Sequence, residues 1–90
     1  MANRRMFSKS VVESGRFLKL SAAAQALYFQ LGMRAEDDGV VEAATVMKKI
    51  GATYADLQEL LFRGFVDLLG DEKELVVYLA DWWENNGWYC

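Results

Sequence analysis

The chain has 90 residues, enough for one small domain with a single core. It is 53% hydrophobic and 26% charged with a net charge of −3, a globular composition, and no apolar run approaches the length of a bilayer span. With no histidine and one cysteine, Cys90, a histidine base, a His-containing zinc site and an internal disulfide are excluded.

Residues 1–19 read as a basic N-terminal arm carrying Arg4, Arg5, Lys9, Arg16 and Lys19. No apolar run follows the first charges, so no signal peptide is expected, and the sparse cysteine usage points to the cytoplasm. Phe7, Val11, Val12, Phe17 and Leu18 are the arm's candidates for burial, with Val11 and Val12 in a short strand or extended segment. Ser21 then caps an amphipathic helix ending near Met33 or Arg34. Its apolar stripe is Leu20, Ala24, Leu27, Tyr28 and Leu31.

Glu36, Asp37, Asp38 and Gly39 have turn chemistry, with Gly39 suited to positive φ. The three adjacent carboxylates lack the alternation of a calcium loop, so a solvated turn is expected and no metal. Val40 and Val41 form a very short strand leading into residues 43–64, which read as two helices joined by a tight turn. Met47 and Ile50 share a face of the first helix. Gly51 ends that helix in the left-handed region, and Thr53 with Asp56 makes a capping box for the second. Leu57, Leu60 and Leu61 mark the second helix's apolar face. These residues also fit an ordinary αα-hairpin in a small core.

Gly64 is placed to close the second helix. Residues 65–79 then read as a hairpin, two apolar strands about a polar turn at Gly70, Asp71, Glu72 and Lys73. A helix-turn-helix followed at once by a hairpin is the winged-helix plan. The expected class is therefore α+β, mainly helical: one winged-helix domain over residues 1–90 with a C-terminal β-hairpin wing. The aromatic tail, residues 80–90, holds four of the chain's twelve aromatics. Trp82 or Trp83 is expected to pack under the first long helix, with Trp83→Ala destabilising. Trp88 and Tyr89 are candidates for an exposed protein-interaction patch.

The net charge hides a split. Residues 1–34 hold six basic residues against Glu13 alone, and residues 35–90 hold four basic against twelve acidic. Such a division fits a basic region meeting an anion, an acidic face meeting a basic partner, or two solvated faces. Neither a phosphate-binding glycine loop nor a framed acid–base pair is visible, so the reading is a binding module with no catalytic residues, cofactor or small-molecule substrate.

Several segments carry a family likeness: Asn3-Arg4-Arg5-Met6-Phe7-Ser8-Lys9-Ser10, the run from Ser21 through Leu31-Gly32-Met33-Arg34-Ala35, Asp37-Asp38-Gly39, Ile50-Gly51-Ala52, and Trp83-Glu84-Asn85-Asn86. In these the chain resembles the N-terminal winged-helix domain of phage and prophage replication-initiation (replisome-organiser) proteins, related in type to DnaD-like primosomal proteins. The resemblance implies a phage- or prophage-encoded protein in a bacterial host's cytoplasm, organising replication initiation by binding double-stranded DNA or by self-association. Members of that family usually continue into a linker and a further domain.

Two functions from different classes follow. In the first, Arg4, Arg5, Lys9, Arg16, Lys19, Lys48 and Lys49 hold phosphates. Tyr54, Gln58 and Arg63 are then what the second helix offers DNA, against its own Asp56 and Glu59. In the second, the acidic face and the terminal aromatics contact a second copy, a replication protein, or a host enzyme that grips nucleic acid.

Overall fold

The computed structural model describes residues 4–70 and 73–87. Its elements are α1 (Lys9–Val12), α2 (Gly15–Leu18), α3 (Ala22–Arg34), β1 (Val40–Glu42), α4 (Ala43–Ile50), α5 (Tyr54–Phe62), β2 (Val66–Leu68), β3 (Val76–Leu79) and α6 (Trp82–Asn86). The architecture is α+β: the helices pack around α3 beside a three-stranded antiparallel sheet in the order β1-β3-β2.

The first correction concerns residues 4–19. Val11 and Val12 are helical, and the expected arm folds as two single-turn helices. Each starts at a serine whose hydroxyl accepts a backbone N–H: Ser8 from Ser10, and Ser14 from Phe17. Ser21 caps α3 in the same way. Serine at an N-cap satisfies a donor that the helix cannot, which lets even one turn close. Val11 and Phe17 are buried by this folding, while Leu18 is exposed.

The expected α3 stripe is the core. Leu20, Ala24, Leu27, Tyr28 and Leu31 are all buried. Phe17, Tyr28 and Phe65 pack edge to face, with ring centroids 5.1 Å (Phe17–Tyr28), 5.5 Å (Phe17–Phe65) and 5.8 Å (Tyr28–Phe65) apart. Phe7 joins them by crossing α3 at Gly32, where a Cβ would lie 2.6 Å from its ring. Burial pushes the Tyr28 hydroxyl up to about 12, opposed by its hydrogen bond from the Asn85 amide.

In the sheet, Val77 and Leu79 of β3 face the core between Val41 and Val66. The outer edge of β1 is partly closed: the Val40 N–H donates to Asp38 Oδ1 (3.1 Å), and its carbonyl accepts from the Glu36 N–H (2.9 Å). Glu42 gives α4 no side-chain cap. Instead the carbonyls of Leu75 and Glu74 accept the N–H groups of Ala43 and Ala44, both at 3.0 Å. Leu75 holds positive φ, 54°, a conformation that favours glycine and persists where neighbours fix it. The hairpin is thereby joined to the start of α4.

The aromatic tail supplies the second correction. Trp82, not Trp83, is the buried tryptophan: it is 2% exposed and Trp83 is 54% exposed. The Trp82 indole N–H donates to the Asp37 carbonyl at 2.9 Å. Gly39 stands against its ring at φ 85°, where a Cβ would approach to 2.6 Å. The 36–39 turn thus takes its shape partly from the tail. Behind Trp82, Asn85 and Asn86 are buried and accept the N–H groups of Ser8 (2.7 Å) and Met6 (2.9 Å), which ties α6 to the N-terminal segment.

Candidate nucleic-acid interface

The helix pair α4–α5 is built by local rules. Gly51 sits in the left-handed region at φ 73°, and the Ala52 N–H bonds back to the Met47 carbonyl (3.0 Å). Thr53 and Asp56 exchange the two bonds of a capping box: Thr53 N–H to Asp56 Oδ2 at 2.8 Å, and Asp56 N–H to Thr53 Oγ1 at 3.4 Å. Leu57 and Leu60 turn inward and are fully buried. On α4 the buried face is Ala43, Val46 and Met47, and Ile50, expected to share it, is exposed.

The acids of α5 are not where a simple count of charges suggests. Asp56 is held in its own cap. Glu59 reaches sideways to the start of α3, where its carboxylate accepts the Ser21 N–H (2.6 Å) and the Ser21 hydroxyl (2.8 Å). Both carboxylates therefore serve helix N-termini, which stabilise negative charge. The outward stripe is then Tyr54, Ala55, Gln58 and Phe62, all exposed and uncharged, with Phe62 86% exposed. Phe62 is an exposed residue of this face that the sequence reading did not single out. The signal was present: it lies four residues beyond Gln58 and eight beyond Tyr54, on the side opposite Leu57 and Leu60.

Cations stand before and after this stripe in the chain. Lys48 and Lys49 are exposed in the last turn of α4, just before the link to α5, and Arg63 is exposed at the C-cap of α5. Lys49 and Arg34 line an open groove of about 450 Å³ between α3, α4 and β1, together with Glu36, Glu42, Val40 and Val76. Its mixed charges leave it without a marked preference for anions.

The other basic residues are dispersed. Arg5, expected as a phosphate contact, is drawn into the fold: its side chain is 12% exposed, Nη2 donates to the Ala35 carbonyl (2.7 Å) and to Asp37 Oδ1 (3.2 Å), and the guanidinium lies 5.1 Å from the centre of the Trp82 ring. It holds the 35–37 turn through Nη2. Arg16 is exposed but stacks over Phe65 at 4.2 Å. It also opposes the burial that raises the Asp81 carboxyl above the usual range, an effect to which nearby Glu84 adds. Arg4, Lys9 and Lys19 are exposed on the N-terminal segment, apart from the α4–α5 cations in sequence. Trp88 and Tyr89 lie outside the described residues.

Among the described residues no group of His, Cys, Asp or Glu is placed to hold a metal ion, and no helix is long and apolar enough to cross a membrane. Comparison with protein-family models, curated proteins and solved structures gave no match.

Proposed function

We propose that this chain is a winged-helix module that binds double-stranded DNA, of the kind used in phage-type replication initiation in the bacterial cytoplasm. One observation carries the reading: Asp56 and Glu59 are turned into helix caps, so α5 offers solvent an uncharged stripe, with exposed Lys48 and Lys49 before it in the chain and Arg63 at its C-cap. That turns both carboxylates away from the stripe and weakens, without cancelling, the repulsion set against a DNA-facing second helix. The chain order supports the winged-helix assignment, because β1, the helix pair and the β2–β3 hairpin follow one another and β1 closes on β3. Binding is mainly to phosphates, and no step requires a cofactor or catalytic group.

Random duplex should bind at low salt, with roughly three to five phosphates neutralised and log K falling against log salt at a slope of about −3 to −4. Lys48→Ala with Lys49→Ala should flatten the slope by up to about two units and weaken all sequences alike. Arg5→Ala should lower the melting temperature and leave the slope in place. Fluorescence anisotropy across a salt series reads both. No binding of duplex at low salt would end this proposal.

A second reading rests on the exposed apolar side chains Leu18, Phe62, Leu68, Leu69 and Trp83. They fit a protein partner, either a replication protein or a second copy. Light scattering that shows a dimer, together with absent duplex binding, would favour it.

A further inference from the structure

The outward stripe of α5 carries more information than a phosphate contact needs. In the major groove, guanine is met most often by Arg or Lys, and cytosine by Glu or Asp. The stripe holds none of these. Gln58 matches the paired donor and acceptor of adenine, and apolar groups such as Phe and Ala match the thymine methyl. Ala55, Gln58 and Phe62 therefore share one chemistry.

Placement agrees with it. A helix about 10–12 Å across with its side chains fits lengthwise into a major groove roughly 12 Å wide. In the chain Lys48 and Lys49 precede α5, in the last turn of α4, and Arg63 is its C-cap. With α5 along the groove, its uncharged stripe is what it offers to base edges, and the charged contacts fall to residues outside the stripe. Phe62, at 86% exposed, has nearly its whole ring available for burial.

We propose that α5 selects A·T pairs, with Gln58 on adenine and Phe62 and Ala55 against thymine methyls. This rests on the duplex-binding reading above and adds a base preference to it.

The test replaces thymine by uracil, which lacks the methyl, in an A·T-rich duplex, with anisotropy at one fixed low salt concentration. Binding should weaken about four-fold for each methyl contacted, the value of one buried carbon. The uracil effect should shrink in Phe62→Ala, whose melting temperature stays unchanged because the ring is exposed. Gln58→Ala should narrow the preference for A·T over G·C duplex and leave the salt slope in place. Equal affinity for thymine and uracil duplexes would overturn the A·T proposal while duplex binding itself stands. No binding to any duplex at low salt would overturn both.

Discussion

Trp82→Ala should destabilise the domain by about 3–5 kcal/mol, the range for removing a large buried aromatic. The residue combines three roles. Its ring fills the space that Gly39 leaves open, its N–H satisfies the Asp37 carbonyl, and its face carries the Arg5 guanidinium. Removing it leaves a cavity, an unpaired carbonyl and a half-buried cation with less covering. Trp83→Ala, one residue along, should cost no more than about 0.5 kcal/mol, as expected of an exposed side chain. Urea denaturation of the two variants compares them directly. Equal costs would show that the tail does not pack as described.

Asn85→Ala is expected to cost about 2–4 kcal/mol, since a buried polar group left without its partner costs roughly 1–3 kcal/mol. Two partners are lost together: the Ser8 N–H, bonded to Oδ1 at 2.7 Å, and the Tyr28 hydroxyl, bonded to Nδ2 at 2.9 Å. The first leaves the Ser8 N–H unpaired, and the second leaves a hydroxyl in the aromatic core. A double-mutant cycle with Tyr28→Phe separates them, because the phenylalanine removes the stranded hydroxyl. The two changes together should cost clearly less than the sum of the single changes. Strict additivity would show that the two side chains do not interact.

What the sequence disclosed follows from range. Ser21 with the α3 stripe, Gly39 in its turn, Gly51 with the Thr53–Asp56 box, and Gly64 after α5 are local signals, and each has its expected conformation. The α+β class follows from them. The one-turn helices α1 and α2 are too short to show a period, so the serines that begin them passed for arm residues. The tail was legible only to the level of one tryptophan among two, because alternation cannot be seen across a five-residue helix.

The site was less legible, for a different reason. Charge along a sequence does not tell which side chains are already bonded within the fold. Arg5 counted as a phosphate contact, and its partners at Ala35, Asp37 and Trp82 are at least 30 residues away. Glu59 counted against a DNA-facing helix, and its partner Ser21 is 38 residues away. Removing Arg5 from the basic set and Glu59 from the α5 face moves the candidate surface from the N-terminal segment to the helix pair. Phe62 was hidden by its apolar character, which suggests burial until the opposite face is seen to be filled by Leu57 and Leu60.

The most direct measurement is a titration of isotope-labelled protein with random duplex at low salt, followed by backbone amide NMR shifts. The largest shifts should fall on residues 48–63, from Lys48 and Lys49 through the capping box to Arg63. The amides of Met6 and Ser8, tied to Asn86 and Asn85, should move little. Shifts centred on the N-terminal segment or α6, with residues 48–63 unmoved, would contradict it.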